Sequence, residues 1–368
     1  MLIRYALGSV LGLLVVWLLT AVLLPGAPPW IYDEVMETAN LAPGHVRYVG
    51  EDFGHIEQAS ALGFDLDGID LGRDKVLIWG DSQVHALSLE TGERLHTQLE
   101  ERRRESRIDY TAVSLGRGGY SVADWHHRMP IGERVYAPVA AHIILISAVH
   151  DLLPGGEGER NDRLVDGQPP RFIQAKATEH RAHAASLNSL APAWVRQAGL
   201  YPIFRELWVG RPLVTGYLRP SHWLARLREV QSAAPAPAGD GDRPRFSVAN
   251  AHDIWRWVLP ALRARTALPV VLVYAPRVPR LAGGRLLTDD PHAPWVAALR
   301  EVAAANGIGI VDMRERFRRF YASERRFPRG YATSRPDAGH INAAGMSLIA
   351  EAIAEAYPSR ASYGAAPE

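Results

Sequence analysis

Three residues of this chain have the types and the order that nucleophilic catalysis needs. Ser82 lies in the run Gly80-Asp81-Ser82, and Asp337 and His340 lie together in Arg335-Pro336-Asp337-Ala338-Gly339-His340-Ile341-Asn342. A serine hydroxyl is a weak nucleophile until a neighbouring imidazole takes its proton. A histidine suits that task because an imidazole in water titrates near pH ~6.5. An aspartate beside it can hold the ring in the needed tautomer and stabilise its charged form. The backbone N–H groups of Ser82 and Gly116 can face the oxygen that becomes negative as the carbonyl is attacked. Such a set carries out acyl transfer through an acyl-serine and calls for no cofactor and no metal. Each residue also has a plainer reading, Ser82 as a turn residue and Asp337 as a cap for the helix starting near Asn342. The ordered set favours catalysis.

The elements that must position these residues read as alternating strands and helices. Val76-Leu77-Ile78-Trp79 is a short apolar run ending at the Gly80-Asp81-Ser82 turn, and Val84 to Arg103 carries Leu87, Leu89, Leu95 and Leu99 at roughly helical spacing. The pattern recurs. Ile108 to Val113 leads into Gly116-Arg117-Gly118-Gly119, and His142 to Ile146 leads into Ser147 to Asp151. Pro269 to Tyr274 follows, then a helix from about Pro294 to Asn306, a strand from Gly307 to Val311 and a last helix from Ala343 to Ala356. Uninterrupted apolar strands alternating with helices predict an α/β fold of three layers, α/β/α, with a central parallel sheet. Functional residues gather at the carboxyl ends of such strands, and Ser82, Gly116, His150 and Asp151 all follow that rule.

These blocks resemble the SGNH/GDSL hydrolase superfamily, whose flavodoxin-like fold the resemblance implies here. Gly80-Asp81-Ser82 is similar to the block that supplies the nucleophile, and Ser114-Leu115-Gly116-Arg117-Gly118-Gly119 to the block whose glycine, here Gly116, donates to the oxyanion. Asp337-Ala338-Gly339-His340 is similar to the last block, with His340 as base and Asp337 as its orienter. Where the family carries Gly-x-Asn-Asp, this chain has Ala148-Val149-His150-Asp151, so His150 takes the place of the oxyanion-donating asparagine. A histidine N–H can serve the same charge, while losing one such donor costs about 10²–10³ in rate, so the replacement matters. Asp81, Gln83 and Asp151 are expected to line the site, Asp151 either facing it or capping the segment after it.

The first residues set the expected location. Tyr5 to Leu24 is uncharged and mostly Leu, Val and Ala, about the ~20 residues that cross a bilayer as a helix. With Arg4 before it and no Lys or Arg close behind, the short N-terminus is expected in the cytoplasm and the body outside. We read residues 1–27 as one transmembrane anchor in the inner (cytoplasmic) membrane, its catalytic domain facing the periplasm or cell exterior. A cleaved signal peptide is the alternative, against which the length of the run and Pro25-Gly26-Ala27-Pro28-Pro29 both count. Residues 28–72 read as a tether, 73–358 as the hydrolase-like domain with an insertion at about 152–250, and 359–368 as a flexible tail.

Within the insertion, Trp194, Tyr201, Phe204, Trp208, Tyr217 and Trp223 form an aromatic-rich stretch closed by the linker-like segment 233–241. A lid or carbohydrate platform, an ordinary subdomain core and a segment lying on the membrane all fit it.

Composition narrows the partners. Lys and Arg number 41 against 40 Asp and Glu, a net charge of +1 that gives no reason to expect nucleic acid. There is no cysteine, so neither a disulfide nor a thiolate nucleophile is available. Adjacent His126 and His127 point in different directions on a helix or a strand and complete no metal triad. His142 reads as a satisfied histidine in a buried strand. The expected substrate is an acyl ester, probed first as acetyl, or an acylated cell-surface carbohydrate. Three functions stay open at this level. They are an exported serine esterase, an O-acyltransferase working on an exopolysaccharide with a multi-helix membrane acyl-transfer partner, and a catalytically impaired glycan-binding protein of the same fold.

Overall fold

The computed structural model describes residues 2–23, 30–44, 46–49, 55–58, 70, 72–106, 110–153, 162–165, 167, 169–174, parts of 177–185, 247–331, 337 and 339–356. Helix α1 (Leu2–Leu23) comes first. Among the described residues, no helix is long and apolar enough to cross a membrane. The side chains described in α1 are those of residues 8–16, 18 and 19, fewer than a crossing requires, so the expected span lies partly outside them. Those described are uncharged, and Val10, Leu11 and Leu13 are largely exposed.

Two antiparallel hairpins follow, β1 (Trp30–Asp33) with β2 (Thr38–Leu41), and β3 (Val46–Val49) with β4 (His55–Gln58). The first of them folds where a tether was expected. Met36, in its turn, joins the hydrophobic core, and the backbone carbonyl of Glu37 accepts from Arg128 Nη2 at 2.9 Å.

The central sheet is built from β5 (Lys75–Trp79), β6 (Thr111–Ser114), β7 (Val139–Ile146), β10 (Val270–Tyr274) and β13 (Gly309–Asp312), in the order β6-β5-β7-β10-β13. Every pairing is parallel. Successive side chains of a strand point to opposite faces, so an all-apolar strand feeds two cores at once. Leu77, Trp79, Ile144, Ile146, Leu272 and Tyr274 face one core, covered by α4 (Val122–Val135), α5 (Val248–Arg263) and α6 (Ala293–Ala305). Val76, Ile78, Ile143, Leu145, Val271 and Val273 face the other, covered by α3 (Leu95–Ser106), α7 (Arg314–Glu324) and α8 (Ala343–Ala356). The chain leaves β5 through α3 on one face and returns from β6 through α4 on the other. That reversal makes β5 and β7 the neighbours at the switch point, where doubly wound sheets open a crevice at their carboxyl ends.

The expected strands recur within a few residues, and the last helix spans Ala343–Ala356 as read from its spacing. The expected helix from Val84 to Arg103 does not. It is split into the single turn α2 (Ser82–His85), a 3-10 turn at Thr91–Glu93 and α3. The break comes at Ala86, whose left-handed φ of 45° ends the first turn as its N–H donates to the Ser82 carbonyl. Between β7 and β10 the described part of the insertion includes a hairpin, β8 (Asp162–Val165) with β9 (Arg171–Gln174). Phe172 stacks on His126 at 3.9 Å and meets Trp257 at 4.9 Å, which seats this hairpin on α4 and α5. The aromatic stretch from Trp194 to Trp223, the segment 233–241 and the tail from residue 357 lie outside the described residues. A last hairpin, β11 (Arg280–Ala282) with β12 (Arg285–Leu287), follows β10.

Candidate active site

Ser82 opens α2 directly beyond β5, at the carboxyl edge of the sheet. Asp81 caps the turn, its Oδ1 accepting from the Gln83 N–H at 2.8 Å. The turn is pressed into place by two glycines. A Cβ on Gly80 would lie 2.3 Å from Val84 Cγ2, and one on Gly116 would lie 2.4 Å from Val84 Cβ and 2.9 Å from the His85 nitrogen. The space of the missing side chain at position 116 is filled by α2 itself. The backbone around Gly116 is bonded to the nucleophile strand, Leu115 N–H to the Ile78 carbonyl at 2.8 Å and Arg117 N–H to the Gly80 carbonyl at 3.2 Å. Neither bond uses the Gly116 N–H. Gly118 borders Ser82 as well, its Cβ position 3.9 Å from Ser82 Cβ.

Gly116→Ala is therefore expected to lose most ester hydrolysis and to destabilise the fold by about 1–3 kcal/mol, the range of core overpacking, because backbone has to yield. Urea unfolding and turnover of an aryl acetate check both. Unchanged values in both would mean that α2 moves freely.

The second stretch enters from the far end of the chain. Asn342 caps α8, its Oδ1 accepting from the Gly345 N–H at 3.0 Å, so the cap once open to Asp337 belongs to another residue. The Asp337 side chain is wholly buried, and its Oδ2 accepts from Arg277 Nη2 at 2.7 Å and from the Leu281 N–H at 2.6 Å. The Asp337 carbonyl accepts from Arg277 Nε at 2.8 Å. Gly339 turns the chain in the left-handed region, φ 85°, where a Cβ is strained. Its carbonyl accepts from Arg329 Nη1 at 3.2 Å, and the His340 carbonyl accepts from the Gly330 N–H at 3.0 Å.

The two stretches are joined by one side chain. Gln83, next to Ser82, accepts through Oε1 from the N–H of Ile341, next to His340, at 2.9 Å across 258 positions. The same oxygen accepts from Arg329 Nη1 at 3.4 Å. Ser82 Oγ itself makes no hydrogen bond among the described residues, and catalytic hydrogen bonds of this kind often tighten only around substrate. Gln83→Leu would remove an acceptor from a buried N–H, which costs about 1–3 kcal/mol locally. It is expected to lower kcat about 10–10²-fold at nearly constant KM, since a shift near 1 Å at a catalytic group has effects of that size. Steady-state kinetics on a soluble ester check it, and a change confined to KM would deny Gln83 this role.

Charge around the site is dense. His340 bears electrostatically on Asp81, whose carboxyl is pushed up to about 6 by burial first and by the Asp151 charge second; the Gln83 N–H, His340 and Arg329 oppose that rise. Asp151 caps the turn after β7, its Oδ2 accepting from the Ser147 and Ala148 N–H groups at 2.9 and 3.0 Å. These bonds hold the turn before Asp151 rather than the segment after it. Arg329 is buried beneath the site, and burial brings its guanidinium down to about 10 against the pull of Asp81 and Asp151. His150 lies in the 3-10 turn Val149–Leu152, and its side chain is outside those described.

Arg277 and Arg329 carry no motif. Arg277 nevertheless follows β10 at its carboxyl end, and the rule that singles out Ser82 and Asp151 applies to it equally. Two of the other histidines have structural partners. His142 accepts from Trp79 Nε1 at its Nδ1 and meets Glu133 at its Nε2, both at 2.9 Å, and His127 meets Glu37 at 2.9 Å. Among the described residues, no three His, Cys, Asp or Glu side chains come together as a metal site.

A parallel sheet wound on both faces, with Ser82 and Asp151 following strands at its carboxyl edge, defines a doubly wound α/β protein. No family model and no curated protein matches the sequence. Among solved structures, the chain is similar to the acetyl xylan esterase AlAXEase, at 13% identity and a TM-score of 0.38, over 77% of this chain and 98% of that one. It is also similar to a lipase/acylhydrolase from Enterococcus faecalis, at 12% identity and a TM-score of 0.39, over 77% and 94%. The psychrotrophic esterase EstA from Pseudoalteromonas sp. gives 10% identity and a TM-score of 0.35, over 77% and 95%. Superpositions this loose carry no weight for function, which has to be argued from the chain's own residues.

Proposed function

We propose that this chain is a membrane-anchored serine esterase of the SGNH/GDSL type, exported so that its body meets acyl esters, acetyl esters of cell-surface carbohydrate among them. The observation that carries this reading is the 2.9 Å bond from the Ile341 N–H to Gln83 Oε1, which ties the residue after the base to the residue after the nucleophile. In the proposed reaction His340 takes the proton of Ser82 Oγ as that oxygen bonds to the ester carbonyl carbon. The N–H groups of Ser82 and Gly116, with His150 as third donor, face the negative oxygen. The C–O bond to the leaving alcohol then breaks, His340 returns the proton to that alcohol, and water releases the acid from acyl-Ser82 in a second round. The apolar stretch of α1 supports the anchor.

A fluorophosphonate probe is expected to label the full chain at Ser82 once per molecule, mapped by peptide mass. Labelling elsewhere, or none in a folded sample, rejects the esterase. Retention of the full chain in washed membranes, with release on cleavage near residue 30, tests the anchor separately.

A further inference from the structure

Arg277 spans both the main chain and the side chain of Asp337. Its Nε donates to the Asp337 carbonyl at 2.8 Å and its Nη2 to Oδ2 at 2.7 Å, while the Arg277 side chain is 38% exposed and that of Asp337 wholly buried. We propose that Arg277 is a positioning residue for the Asp337–His340 pair, fixing the carboxylate's rotation and placing a cation beside it. This rests on the serine-esterase reading above.

A buried carboxylate is unstable as an anion without a counter-charge, and the planar guanidinium fork also sets its orientation. The bonds from Arg277 Nη2 and from the Leu281 N–H both fall on Oδ2. Neither competes for Oδ1, the oxygen an imidazole Nδ1–H would use. The pair works with an ionised Asp337 and a neutral His340, one negative charge in all, and has none after taking up a proton. A cation beside it favours the negative state. Without Arg277 that preference is lost.

Other charges face the same pair. Asp81 beyond β5 and Asp151 beyond β7 stand against Arg329, whose guanidinium reaches the Gly339 carbonyl. Asp81 titrates within the same range, so the effect of Arg277 is read as a difference between variants that all keep Asp81.

The test is the profile of kcat/KM against pH for a soluble aryl acetate, from about pH 5 to 9, on the full chain in detergent. Arg277→Gln removes the charge and keeps a donor, and its acid limb is expected to move upward by about one pH unit. Arg277→Lys keeps the charge and loses the fork. Its acid limb is expected to stay in place while kcat falls about 10-fold. An acid limb unmoved in Arg277→Gln, or moved as far in Arg277→Lys as in Arg277→Gln, overturns the proposal. Should Arg277→Gln fail to fold, the lysine variant decides alone, an unmoved limb with lowered kcat supporting the proposal and a moved limb overturning it. Failure of the esterase reading shows earlier and differently, as a wild-type chain unlabelled at Ser82 by a fluorophosphonate.

Discussion

Ser82→Ala is expected to lower kcat/KM for ester hydrolysis by about 10⁴-fold or more, with the fold and its stability intact. The large effect follows from chemistry. Without Oγ there is no acyl-enzyme, and what survives is the modest catalysis that oxyanion donors and binding provide alone. The small effect on stability follows from the structure. Ser82 is half-buried, and its Oγ makes no hydrogen bond among the described residues. The bonds that shape its turn belong to Asp81 Oδ1 and to the Ser82 carbonyl, both of which alanine leaves in place. A surface-type change of this kind shifts stability by about 0.5 kcal/mol at most. Turnover of an aryl acetate by the purified variant, with its thermal midpoint measured in parallel, separates the two effects. Wild-type turnover in the variant removes Ser82 from the mechanism. A midpoint lowered along with the activity would mean that the serine is a structural residue of the turn.

The sheet was legible in the sequence because its inner strands are buried on both faces and so read as apolar runs. Val76 to Trp79 and Val270–Tyr274 stand out for that reason. The last helix was legible to the residue because its apolar positions repeat and Asn342 stands at its start. The break at Ala86 was hidden, since a left-handed turn without glycine or proline leaves no mark. The β1–β2 hairpin was hidden too. Its strands are four residues long, and what fastens it is Met36 in the core and a carbonyl gripped by Arg128. Within the candidate site, residue types and order were enough to single out Ser82, Asp337 and His340 as candidates. They were not enough to find Gln83's link to Ile341, 258 positions away, or to pick Arg277 and Arg329 out of 41 basic residues. Hydrogen bonds between remote segments depend on where the fold brings backbone groups, and no local pattern records that.

Asp337→Asn is expected to lower kcat/KM by about 10⁴-fold, the size seen when an orienting aspartate is replaced by its amide in a serine protease. The geometry gives a reason specific to this chain. Two donors, Arg277 Nη2 and the Leu281 N–H, converge on Oδ2 within 2.7 Å, so an asparagine has to place its oxygen there. Its NH₂ then takes the position of Oδ1. Turned toward the imidazole, that group offers a donor where an acceptor is required, and His340 is driven to the tautomer whose proton sits on the nitrogen that should receive the one from Ser82. The flip that would restore the acceptor sets the NH₂ against two donors inside a buried pocket, where an unmatched polar group costs about 1–3 kcal/mol. Asparagine thus keeps the shape and inverts the chemistry, whereas Asp337→Ala would also leave Arg277 and Leu281 without their acceptor and loosen the loop. The comparison to make is kcat/KM together with the urea midpoint for both variants. Activity lost in Asp337→Asn with a nearly unchanged midpoint, and lost together with stability in Asp337→Ala, fits an orienting carboxylate. An asparagine variant that turns over ester at the wild-type rate leaves Asp337 as a structural anchor for the Arg277 loop and sends the search for the orienting group to Asp81, on whose carboxyl His340 bears electrostatically.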